Sequence, residues 1–123
     1  MDSETQKPEL RQRTKRFAGA VIRLYCALPK RRTEVEVISR QMLRSGTSVA
    51  ANYREASRAR SAAEFIAKIE LCAQEADETM LWLELLREDC AIPLESIAEL
   101  HHECDELIAI FVTMAKRTKL AID

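Results

Sequence analysis

The sequence predicts an all-α fold, an up-down-up-down antiparallel four-helix bundle that assembles as a homo-oligomer. Three observations point there. Two glycines and three prolines in 123 residues are about a third of average usage, too few for the turns of a many-stranded sheet. Four long stretches repeat apolar residues at helical spacing. The connectors between them are only a few residues long, which makes consecutive helices antiparallel neighbours. A single domain over residues 1–123 suits this length, with residues 1–7 expected to be flexible.

Helix one is expected from about Pro8 to Leu28, because Pro is tolerated in a first turn and Phe17, Val21, Leu24, Tyr25 and Leu28 form one stripe. Pro29 stops it. Beyond the basic connector Lys30-Arg31-Arg32, the run Thr33-Glu34-Val35-Glu36 has capping-box form and makes Thr33 the expected N-cap of helix two. Val35, Ile38, Met42, Val49 and Tyr53 carry that helix to about Ser57. A second box, Ser61-Ala62-Ala63-Glu64, opens helix three, whose stripe is Phe65, Ile69, Cys72, Ala76, Met80 and Leu83, ending near Asp89. At 1.5 Å per residue, helices two and three are each about 40 Å long and can pair along their length. Pro93 sits where a first-turn proline belongs, and Ile97, His101, Cys104, Ile108, Phe111, Ala115 and Thr118 form the expected stripe of helix four. Lys116, Arg117 and Lys119 suit its C-terminal dipole.

The net charge of −1 is unevenly spread: residues 1–68 hold 15 Lys/Arg against 7 Asp/Glu, and residues 69–123 hold 4 against 13. In a compact fold such asymmetry sets basic helices beside acidic ones. No apolar run approaches the roughly 18 residues needed to span a bilayer, so no membrane partner is expected. Met1-Asp2-Ser3-Glu4 has neither a positive nor an apolar leader region, and a cytoplasmic protein is expected. Cys26, Cys72, Cys90 and Cys104 form no C-x-x-C pair and read as buried or half-buried thiols.

In helix two, Met42 through Ala56 contains the pattern S-x-x-x-N-x-x-E at Ser48, Asn52 and Glu55. It is followed by Arg60-Ser61, by Glu64-Phe65-Ile66, and by the acidic-apolar stretch from Glu75-Ala76-Asp77-Glu78 through Trp82-Leu83-Glu84-Leu85-Leu86. Over roughly residues 15–115 the chain resembles the four-helix-bundle family named for the 23S rRNA intervening-sequence proteins. The family pattern usually continues Glu-Gly; here Glu55 is followed by Ala56, so helix two is expected to run on. The resemblance implies a small non-enzymatic bundle, a closed homopentamer, and, from related accessory proteins of diversity-generating retroelements, binding of nucleic acid.

Independently of that resemblance, the six apolar side chains of Met80-Leu81-Trp82-Leu83-Glu84-Leu85-Leu86 cover nearly the whole helix circumference, more than one core can hide. Leu81, Trp82 and Leu85 are the candidate oligomer-interface residues. Ser48, Asn52 and Glu55 are read as a structural motif, because no nucleophile with a neighbouring base accompanies them. No metal site or cofactor is expected. His101 and Cys104 supply two of the four ligands a closed zinc site needs, and a carboxylate-bridged metal pair draws a Glu-x-x-His from each of two helices whereas both histidines lie in helix four. Lys30, Arg31, Arg32, Arg54, Arg58 and Arg60 are the candidate residues for binding RNA or DNA through phosphates, with weak sequence preference. A protein-protein interaction scaffold is the alternative.

Overall fold

The computed structural model describes residues 3–122, with side chains from Glu9 onward. It contains four helices in order: α1 (Ser3–Ala27), α2 (Thr33–Ser57), α3 (Ala62–Glu88) and α4 (Leu94–Ile122). No strand occurs among the described residues. Met1 and Asp2, part of the segment expected to be flexible, lie outside them. The backbone of residues 3–7 continues α1 five residues ahead of Pro8, in a run where Glu4, Gln6 and Lys7 favour helix.

Neighbouring helices pack in chain order, α1 on α2, α2 on α3 and α3 on α4, while α1 and α4 meet at few points. Each helix contributes its stripe to one core. Phe17, Val21 and Leu24 come from α1, Met42, Val49 and Tyr53 from α2, Ile69, Cys72 and Leu83 from α3, and Cys104, Leu107 and Phe111 from α4. The Tyr53 and Phe111 rings stack with centroids 6.3 Å apart. In α4 the buried seam is Ile97, Leu100, Cys104, Leu107, Phe111, Met114 and Ala115. His101, Ile108 and Thr118, expected on the stripe, are instead half-buried at its flank. The core follows alternating steps of three and four residues through the leucines.

The helix boundaries have identifiable causes. Ser61 caps α3 as expected, its Oγ accepting from the Glu64 amide at 3.1 Å. Thr33 does not cap α2; Arg32 holds that position without a side-chain cap. Glu36, which a capping box needs to fold back, pairs forward with Arg40 at 2.7 Å. Lys30 closes α1 by donating through Nζ to the carbonyls of Tyr25 and Leu28. Arg32 Nη1 donates to the Cys90 carbonyl at 2.8 Å and so ties the α1–α2 connector to the α3–α4 connector.

The middle of α2 is thin on both sides. A Cβ on Gly46 would stand 2.8 Å from both Cγ atoms of Val21. On the other flank the buried hydroxyls of Ser45 and Thr79 hydrogen-bond at 2.7 Å between α2 and α3, and Thr79 also donates to the Glu75 carbonyl at 2.9 Å. Val21 is β-branched and stiff, so it cannot step aside. Gly46→Ala should therefore destabilise the fold by about 1–3 kcal/mol. Val21→Ala placed in that background should recover part of the loss. A urea-unfolding double-mutant cycle reads both, and strict additivity would show that the two residues do not clash.

Candidate nucleic-acid interface

The six basic residues singled out in the sequence do not form one site. Successive connectors of an up-down bundle lie at opposite ends, so Lys30, Arg31 and Arg32 sit at one end and Arg54, Arg58 and Arg60 at the other. Helices of about 25 residues separate the two groups by about 40 Å. Lys30 is held on the α1 carbonyls and lies 4.3 Å from the Tyr25 ring centroid. Arg32 is held by Cys90 and, at 3.1 Å, by Glu34. Of that trio only the exposed Arg31 lacks a described partner.

The α2–α3 end differs. It gathers the start of α1, the last turn of α2, the connector 58–61 and the C-terminus of α4, as the Glu55–Lys68 pair at 2.6 Å and the Glu70–Lys119 pair at 2.8 Å show. The helix order places Arg11, Arg54, Arg58, Arg60, Lys116 and Arg117 towards that end, and none makes an ion pair among the described residues. Of the carboxylates described at this end, Glu55 and Glu70 are already paired with lysines, and Glu9 and Glu64 remain among the described residues. Proximity of connector residues in sequence suggested Arg54, Arg58 and Arg60. It missed Arg11, Lys116 and Arg117, which the antiparallel topology itself brings to the same end.

Elsewhere basic and acidic helices neutralise each other along the bundle's sides. Arg13 of α1 binds Glu103 of α4 through two hydrogen bonds, at 2.7 and 2.8 Å, and Glu106 at 2.7 Å. Glu103 leads in raising the guanidinium pKa, and Arg13, then His102, lead in lowering that of Glu106. Arg44 of α2 meets Glu78 at 2.8 Å and Glu75 at 3.5 Å on α3.

Of the structural motif, Ser48 and Asn52 are half-buried, while Glu55 is exposed and accepts from Lys68. His101 pairs with Glu84 at 2.8 Å and His102 with Glu106 at 3.0 Å. No group of three or more potential metal ligands exists among the described residues. The apolar surplus of α3 resolves into buried Leu83 and Leu86, half-buried Met80, Trp82 and Leu85, and exposed Leu81. Trp82 packs against the core and Leu81 is 46% exposed.

These features define a class, an all-α four-helix bundle with basic side chains gathered towards one end. Comparison with known proteins goes further. The sequence model for the 23S rRNA-intervening sequence protein family matches residues 6–113, and the chain belongs to that family. It is similar to a solved structure, at 1.70 Å resolution, of a protein of unknown function from the S23 ribosomal protein family of Bacteroides thetaiotaomicron VPI-5482. The identity is 34%, the TM-score 0.81, and the match covers 89% of this chain and 97% of that one. No curated protein matches the chain. No described helix is long and apolar enough to cross a membrane.

The four thiols are unpaired; Cys26 is exposed, and Cys72, Cys90 and Cys104 are buried. Burial pushes the Cys72 thiol up to about 12 and raises that of Cys104 as well. A maleimide reagent at neutral pH should therefore label Cys26 alone in the native protein and the other three only after unfolding. Intact-mass spectrometry counts the adducts, and two or more in the native state would contradict this packing.

Proposed function

We propose that this chain is a non-enzymatic, self-associating bundle that binds the phosphate backbone of RNA or DNA, at its α2–α3 end, with little sequence preference. The observation that carries the reading is that the helix order sets Arg11, Arg54, Arg58, Arg60, Lys116 and Arg117 towards one end without described carboxylate partners. Each phosphate that such a cation neutralises releases counterions, which gives affinity without reading bases. A cytoplasmic location belongs to the same reading, since four unpaired thiols suit a reducing compartment.

Self-association is supported by α3. Leu71 and Leu81 are exposed, Leu85 is half-buried, and helical geometry sets the three within about 80° of one another. Covering them with another copy removes apolar surface from water at roughly 25 cal/mol per Å². The closed homopentamer is the form the family resemblance implies.

Anisotropy titrations of labelled RNA and DNA against salt test the binding. Arg58→Glu with Arg60→Glu should weaken it about tenfold or more at 0.1 M salt and flatten the salt slope. Arg31→Glu, at the other end, should leave it within about twofold. Absence of salt-dependent affinity for either polymer would leave an interaction scaffold as the better reading. Light scattering tests the assembly. A parent monomer at micromolar concentration sinks self-association, and another stable stoichiometry sinks the number five. Leu81→Asp should disperse the oligomer with helicity retained, whereas Trp82→Asp should unfold the chain, because Trp82 packs on the core.

A further inference from the structure

We infer that the cationic end takes duplex rather than single-stranded nucleic acid, an inference that rests on the backbone-binding reading above. Proteins that hold single strands combine a basic groove with aromatic faces on which bases stack, each base contributing about 1–3 kcal/mol. This chain has six aromatic residues, and none of them is exposed. Phe17, Tyr53 and Phe111 lie in the core, and Tyr25, Phe65 and Trp82 pack against it. Tyr25 belongs to the opposite end, under Lys30. Phe65, in the first turn of α3 at the cationic end, is half-buried and packs against the core. A hollow of about 470 Å³ between α3 and α4, beside Lys116 and Lys119, is lined by Phe111, but that ring is 0% exposed and offers no face to a base.

Without stacking, affinity follows the density and layout of phosphates. The cations come from α1, α2, the connector and α4, whose axes in a packed bundle stand about 8–10 Å apart. They form a two-dimensional patch rather than a track. A duplex presents two backbones side by side with one charge per about 1.7 Å of axis, twice the density of either strand alone. It meets such a patch with more phosphates at once than a single strand does. Contacts confined to the backbone make RNA and DNA duplexes alternatives of one chemistry, separated by the arms of the test.

The experiment uses the full chain with labelled oligo-dT and oligo-U, alone and annealed to their complementary strands, titrated by anisotropy from about 0.05 to 0.2 M salt. Either duplex should bind about tenfold more tightly than its single strand at the low-salt end. The log-log salt slope should be steeper for duplex, by the ratio of about 0.9 to 0.7 per phosphate contact. Arg58→Glu with Arg60→Glu, checked for helicity by circular dichroism, should reduce the duplex slope by about 2. Phe65→Leu should leave every affinity unchanged. Single strands bound as tightly as duplexes, or a loss of single-strand affinity in Phe65→Leu, would overturn the duplex inference while leaving backbone binding intact. Salt-independent or absent binding to all four probes would overturn both.

Discussion

The contact between Gly46 and Val21 is the constraint on which the rest of the bundle depends. With no Cβ in the way, α1 closes onto the middle of α2, and one residue along the same helix the Ser45 hydroxyl meets Thr79 across the α2–α3 seam. A buried hydroxyl pair is costly to leave unmade, so the two contacts together set the axial register of three helices. That register brings Glu55 level with Lys68 at one end of the seam and Arg44 level with Glu75 and Glu78 near its middle. Shifting α2 by a turn would break the Ser45–Thr79 hydrogen bond and move the α2–α3 ion pairs of Arg44 and Glu55 out of reach.

Register and topology divide the charges into two populations. Cations along the sides, Arg13, Arg44 and Lys68, face carboxylates on the neighbouring helix. These pairs are partly exposed and contribute little stability each, but they keep a basic α1 and α2 compatible with an acidic α3 and α4. At the α2–α3 end Lys119 is paired with Glu70 of α3, whereas Arg11, Arg54, Arg58, Arg60, Lys116 and Arg117 make no ion pair among the described residues. Arg54 lies in the last turn of α2, where the helix dipole favours positive charge. Its presence there has a structural justification, yet the dipole holds a cation without neutralising it.

Much of this was legible in the sequence. The scarcity of glycine and proline, the four apolar stripes and the short connectors led to the observed architecture, and Ser61 announced the start of α3 because its reciprocal Glu64 lies three residues on. Thr33 carried the same signal and did not cap, since Glu36 has a better electrostatic partner in Arg40 one turn ahead; a local motif loses when an i,i+4 ion pair competes for the same carboxylate. The helical wheel showed that Met80–Leu86 has too much apolar surface, but not which side chain points outward. That depends on how far α3 is rotated between α2 and α4, a tertiary quantity that leaves Leu81 outside and Trp82 against the core. For the candidate site the sequence joined Arg54, Arg58 and Arg60 to Lys30–Arg32, although an alternating bundle places consecutive connectors at opposite ends.

The apolar surface and the cationic surface are orthogonal. Leu71, Leu81 and Leu85 lie on the side of α3, whereas the unpaired cations gather where the helices end. Copies that associate through their sides therefore do not cover their ends. If the symmetry axis of such an assembly runs along the helices, every cationic end faces the same way, and the copies form one positively charged face whose phosphate contacts add along a bound polymer. Counterion release makes affinity a power of the number of contacts, so a patch that binds weakly as one copy binds firmly as several. On the proposed reading no copy needs a deep pocket or a base-reading side chain, because multiplicity supplies at this end what local geometry does not.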